Sequence, residues 1–150
     1  MRSMLRSSTL TDRRFVTAEE TLTEVAPFTL NAWMSRPDIV PCKELLMVRA
    51  TMEPGRCHPF HYHPTREEII YIVSGQAEQW CGREWRTLHP GEMALIPKGE
   101  VHGTYNSFRE PVVFLAILSP AGAEGEDMID VSLEEPWLGL RESKSLIHCR

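Results

Sequence analysis

The chain lacks several features that would fix its class at once. None of its apolar runs approaches the ~20 residues that a membrane-spanning helix needs, and residues 1–20 hold no apolar segment of signal-peptide length. Its 4 cysteines (Cys42, Cys57, Cys81 and Cys149) form no Cys-x-x-Cys pair and no dense framework. Free thiols in a reducing cytoplasm are therefore the expectation. Charge of one sign is nowhere blocked: 16 Lys and Arg and 21 Asp and Glu are scattered, for a formal net charge of −5. Binding a phosphate backbone needs a basic stripe, and Arg2, Arg6, Arg13 and Arg14 are followed at once by acidic residues. Neither nucleic acid nor a membrane is an expected partner. Internal repeats, low-complexity tracts and a DNA-binding helical unit are also missing, and 150 residues make one domain with a sizeable core.

What is present is a series of short β-type segments separated by glycine and proline. Residues 1–27 are polar and read as an extension with one short strand. Residues 28–120 carry strand candidates at Thr29–Met34, Glu44–Met52, Ile69–Val73, Gln76–Trp80, Glu84–Leu88, Met93–Ile96, Val101–Asn106 and Val112–Leu118. Strands at this spacing with such punctuation predict an all-β sandwich or barrel. Residues 121–150 form a loop and tail, with one helical turn expected at Ser132–Glu135 before Pro136.

The chemistry concentrates between Gly55 and Asn106. His61 and His63 are two apart, and in a strand such side chains share a face, about 7 Å apart along the backbone. Two imidazoles can then aim at one point. His102 follows a Pro97-Lys98-Gly99 turn and supplies a third. Neutral imidazoles with a carboxylate are the usual ligands of a borderline divalent metal. His89 and His148 read as turn and tail residues exposed to solvent, and His58 as a surface loop residue or a partner behind a metal ligand.

Two patterns in this region resemble the paired motifs of the cupin superfamily. In the first, Gly55 is followed by His61, His63, Glu68 and Gly75; in the second, Gly91 is followed by Pro97, Gly99, His102 and Asn106. Both are complete and in order. The resemblance implies a double-stranded β-helix (jelly-roll) barrel and a metal held by His61, His63, Glu68 and His102. Glu68 rather than Glu67 leaves the six residues to Gly75 that the motif requires, and Glu67 should face outward. Fold alone does not fix the reaction.

Such a set leaves a divalent ion, Fe, Mn, Ni, Zn or Cu, with about one net positive charge and two adjacent open positions. A small oxygenated molecule that chelates the metal is the implied ligand. The implied activity is dioxygenase-type or isomerase/lyase chemistry; the alternative is a non-catalytic metal-dependent small-molecule or sugar sensor. Glu68 argues against cupin-type thiol dioxygenases, which generally lack that ligand. Gln79 and Arg49 are the candidate substrate-binding residues: alternation along the strand puts Ala77, Gln79 and Cys81 inward and Glu78 toward water unless the alternation slips at an edge, and Arg49 interrupts an apolar strand, either to anchor a carboxylate or to pair with an acid on the outer face. Cys57 and Cys81 read as small buried hydrophobes. Trp80 and Tyr71 should point away from the metal, and large aromatics on an outer face point to a homodimer.

Overall fold

A computed structural model describes residues 10–122 and 124–141. Its strands in chain order begin with β1 (Leu22–Val25), β2 (Leu30–Ser35), β3 (Leu46–Met52), β4 (Cys57–Tyr62) and β5 (Glu67–Ser74). They continue with β6 (Ala77–Cys81), β7 (Glu84–Leu88), β8 (Met93–Ile96), β9 (His102–Tyr105), β10 (Val112–Ser119) and β11 (Ile129–Asp130). One antiparallel sheet has the order β1-β2-β3-β10-β5-β8 and the other β11-β4-β9-β6-β7. Most strands fall within two residues of where the sequence places them. The tail turn expected at Ser132–Glu135 is irregular: turn hydrogen bonds such as Glu134 N–H to Val131 C=O do not propagate into a helix.

The first sheet owes its concave face to strict alternation. Leu46, Val48, Ala50 and Met52 of β3 are buried, and so are Val112, Phe114, Ala116 and Leu118 of β10. The two rows sit in register, Met52 opposite Val112 and Leu46 opposite Leu118. Fully burying one such aliphatic side chain contributes about 1.5–3 kcal/mol, so this pair of rows sets which face looks inward. On β5 the same parity turns Glu68, Ile70 and Ile72 toward the core. Glu68 is thereby placed on an aliphatic wall by its strand neighbours.

Two motif residues serve the backbone. Gly75 has φ +74°, and a Cβ there would collide with the Pro111 carbonyl oxygen and lie 2.9 Å from Val112 Cα; no other residue fits. The buried Asn106 Nδ2 donates to Met52 C=O (3.0 Å) and Glu110 C=O (2.8 Å), while its Oδ1 accepts from Phe108 N–H (3.1 Å).

The second sheet corrects two expectations. Glu78 is buried rather than facing water, because the C-terminal segment closes over that face. Phe60, Trp80, Tyr105 and Val131 form a second core, with Trp137 and Leu140 packed against it. Arg141 reaches Glu78 with two charge-assisted hydrogen bonds, Nε to Oε1 at 2.8 Å and Nη2 to Oε2 at 2.9 Å, and its Cζ lies 4.1 Å from the Tyr105 ring centroid. Trp80 Nε1–H donates to the same carboxylate at 2.6 Å. Trp80 therefore offers no open surface to a partner, whereas Tyr71 is 38% exposed on the other sheet.

Removing one member of a buried ion pair strands the other. Arg141→Ala should lower unfolding free energy by about 3 kcal/mol, seen as a lower urea midpoint. A loss under about 1 kcal/mol would show that the C-terminal segment does not need this anchor.

Candidate metal centre

Each of the four motif side chains reaches the barrel interior for a local reason. His102 begins β9, between β4 and β6, and pairs in register with His61 on one side and Cys81 on the other. Glu68 arrives from the opposite sheet. Outward-facing Phe60 and Tyr62 on β4 alternate with His61, and His63 follows with the same inward parity. Their ligand atoms all lie within 4.8 Å of one another, and all four residues are buried. Glu67 is exposed on the outer face.

The hydrogen bonds fix the tautomers. His61 Nδ1 lies 2.6 Å from Pro59 C=O, His63 Nδ1 2.8 Å from Asp127 C=O and His102 Nδ1 3.0 Å from Glu100 C=O. A carbonyl only accepts, so each Nδ1 carries a proton and Nε2 is the atom that faces the site, donating to a carboxylate when protonated and offering a lone pair to a metal when not. Glu68 Oε2 lies 2.8 Å from His102 Nε2 and 3.3 Å from His63 Nε2. His61 Nε2 is buried without any hydrogen-bond partner. Groups that converge in this way share protons or a cation; protons leave His61 Nε2 without a partner, whereas a divalent ion satisfies all four at once.

Electrostatics follow the same geometry. Burial, with His58 and His102 nearby, holds His61 well below the usual imidazole range. Burial also opposes charge on His63, but the Glu68 carboxylate outweighs it and raises His63. For Glu68, burial disfavours the anion, yet hydrogen bonds to His102 and His63 prevail and lower it. A metal that displaces the Nε2 protons meets one anion and neutral nitrogens, the donor set of a borderline transition metal.

These groups line one end of a cavity of ≈ 260 Å³. Its long wall is the aliphatic concave face of the first sheet, including Val48, Ile70, Phe114 and Leu118. Thr29, Asn31 and Trp33 from the β2 side, and Asp127 and Met128 ahead of β11, also line it.

Of the two readings open for His58, surface loop residue or partner behind a ligand, the structure places it in the cavity lining against a ligand ring. Its ring stacks on His61 (centroids 3.8 Å apart, 16° between planes) and Nε2 lies 3.1 Å from Met128 Sδ. Regular alternation would turn His58 and His61 to opposite faces. The register shift between them, at Pro59-Phe60, turns both inward. Burial lowers His58 to about 4. Arg66 was missed, although it stands two before Glu68 and shares its parity; its guanidinium pairs with the Asp127 carboxylate and donates to Pro120 C=O (2.8 Å) and Ala121 C=O (2.9 Å).

Arg49 does not reach the cavity. It is exposed on the outer face of β3, between inward Val48 and Ala50 and opposite Ala32 and Leu115. Gln79 is buried but borders a separate cavity of ≈ 250 Å³ with Cys81 and Trp85. It touches the metal end indirectly: its Oε1 accepts from Thr104 Oγ1 at 2.6 Å, and Thr104 lines the main cavity. Cys42 and Cys81 are free, but Cys57 is disulfide-bonded, which corrects the expectation of free thiols and removes that argument for a reducing compartment. His89 is exposed beside Glu92, as expected, and His148 lies outside the described residues.

Comparison with known proteins places this geometry. The family described as Cupin domain matches residues 48–118, from β3 to β10. An uncharacterized protein of Aquifex aeolicus (strain VF5) is 37% identical over 73 residues, 49% of this chain and 59% of that protein. The oxalate decarboxylase OxdC of Bacillus subtilis (strain 168) is 30% identical over 103 residues, 65% of this chain and 25% of that one. The chain thus spans between 25% and 59% of the length of these two relatives. Among solved structures, the polyketide cyclase RemF from Streptomyces resistomycificus superposes with a TM-score of 0.68 at 19% identity, covering 87% of this chain and 93% of that chain. At that identity the likeness concerns the fold.

If the four donors bind a metal, Zn²⁺ added to chelator-treated protein at about 100 times its Kd should stabilise it by about 2.7 kcal/mol. That corresponds to a melting-temperature rise of roughly 5–10 °C. His61→Ala and His102→Ala should abolish the rise while keeping the β-type circular dichroism spectrum. An equal rise in both variants would place any bound ion elsewhere.

Proposed function

The chain belongs to the cupin superfamily, and from that premise we propose that it is a metal-dependent enzyme acting on a small oxygenated molecule. His61, His63, Glu68 and His102 would hold one divalent Fe, Mn, Ni, Zn or Cu ion. The observation that carries the reading is the partnerless buried Nε2 of His61, aimed with the Nε2 atoms of His63 and His102 and a carboxylate into a cavity with an aliphatic wall. The bound ion supplies Lewis acidity or dioxygen activation there.

The chain's own residues do the rest. Leu118, Phe114 and Ile70 exclude water from the long wall, which strengthens every polar interaction at the metal end. Thr104 gives its hydroxyl proton to Gln79, so its oxygen presents lone pairs to a ligand and orients a ligand hydroxyl as donor. Gln79 is in this way a positioning residue for Thr104. The Nδ1–H bonds to Pro59, Asp127 and Glu100 hold the three rings in one tautomer through a reaction cycle.

The assembly we propose is a homodimer. Its support is the outer face of β5 and β8, where Tyr71 sits opposite Met93 and Ile69 opposite Leu95. Met93 is 46% and Leu95 54% exposed, an apolar patch unlike the covered face around Trp80.

Elemental analysis of protein purified without added metal, paired with oxygen-uptake assays on keto acids and catechols, tests the enzyme reading. About one divalent ion per chain with substrate-dependent oxygen consumption supports an oxygenase. The same ion with turnover but no oxygen uptake supports an isomerase or lyase. Metal and ligand binding without turnover of any substrate overturns the enzyme in favour of a sensing module.

A further inference from the structure

The charges lining the main cavity restrict its ligand more than the metal donors do. Arg66 is the single Arg or Lys among the described lining residues. In a site built for a carboxylate or phosphate such a residue would face the ligand with an open fork. Here the fork is committed: the Arg66 side chain is 8% exposed, pairs with Asp127, and donates from Nε to Pro120 C=O and from Nη2 to Ala121 C=O. The remaining charges are Glu68 and whatever ion the four donors hold. A divalent ion with one carboxylate leaves about one positive charge, and the Arg66–Asp127 pair adds none.

A buried charge is costly unless it is paired. A monoanionic ligand brings the cavity to neutrality, whereas a dianion leaves one negative charge against an aliphatic wall. That wall runs through Leu46, Val48, Phe114, Ala116 and Leu118, and Trp33 faces the same space. A ligand that fills ≈ 260 Å³ therefore lies along this wall, with the metal donors and uncharged Thr29, Asn31 and Thr104 as its polar neighbours.

Resting on the metal-site reading above, we infer that the cavity selects monoanionic oxygen chelators with an apolar body, such as the enolate of an aryl 1,3-diketone, and rejects dianions such as oxalate. The Arg66–Asp127 pair sets this selectivity by withholding the one cation that would hold a second negative charge. The diketone enters as its enolate, its proton having gone to the buffer, and the aryl group lies along the aliphatic wall. Asp127 contributes twice through different atoms: its side chain occupies Arg66, and its backbone carbonyl orients His63. Replacing the side chain alone separates the two roles.

The test is calorimetric titration of zinc-loaded protein with 1-phenylbutane-1,3-dione and with oxalate at one pH, with zinc content measured before and after. The diketone should bind at least about tenfold more tightly. In Asp127→Asn, where the Arg66 charge loses its counter-anion, oxalate affinity should rise at least about tenfold while diketone affinity stays within about twofold. Arg66→Gln, which removes the cation as well, should give no such gain. Zinc-loaded protein that prefers oxalate overturns this inference alone, as does an unchanged ratio in Asp127→Asn. Protein that takes up no zinc overturns the metal-site reading together with it.

Discussion

Three imidazole Nε2 atoms and a carboxylate that point at one another in a buried site must share protons or a cation. Like-natured acceptors repel, and burial removes the water that would otherwise separate them. The backbone enforces this geometry. Because Pro59, Glu100 and Asp127 each offer a carbonyl to an Nδ1–H, all three rings turn Nε2 toward the common point. The carbonyls come from β4, from the turn before β9 and from the segment ahead of β11. Three separate parts of the chain must therefore fold correctly before the donor set exists.

The two sheets divide the work. The first contributes an aliphatic wall and inserts Glu68 into it; the second contributes His58, His61, His102 and Thr104. The C-terminal segment then closes over the second sheet. Asp130 pairs with His61 and Val131 N–H donates to Phe60 C=O at 3.0 Å. Arg141 fastens the far end to Glu78. A segment that looks peripheral in sequence thus orients one ligand ring at its start and shields the second core at its end.

The central barrel and the four donors were legible because their signals are local. Period-two alternation puts His61 and His63 on one face, and the glycines and prolines of the two motifs mark the turns around them. What was illegible depended on contacts distant in sequence. Glu78 looks solvent-facing until Arg141, 63 positions later, covers it. Trp80 looked like an interface residue for the same reason. His58 was left between two readings by one bulge, since a single extra residue reverses parity and no composition rule announces it; Pro59 was the only hint. Arg49 interrupts an apolar strand, but β3 is apolar on both faces, so its sequence could not say which face looks outward.

Nε2 coordination by all three imidazoles is the requirement on which the metal site depends. Crystals of the metal-loaded protein, with anomalous scattering measured at the metal's absorption edge, locate the ion directly. We predict one peak about 2.0–2.2 Å from Nε2 of His61, His63 and His102 and from a Glu68 oxygen, the bond lengths expected of such donors. A peak bound through Nδ1, or one that leaves His61 Nε2 without a partner, would contradict it.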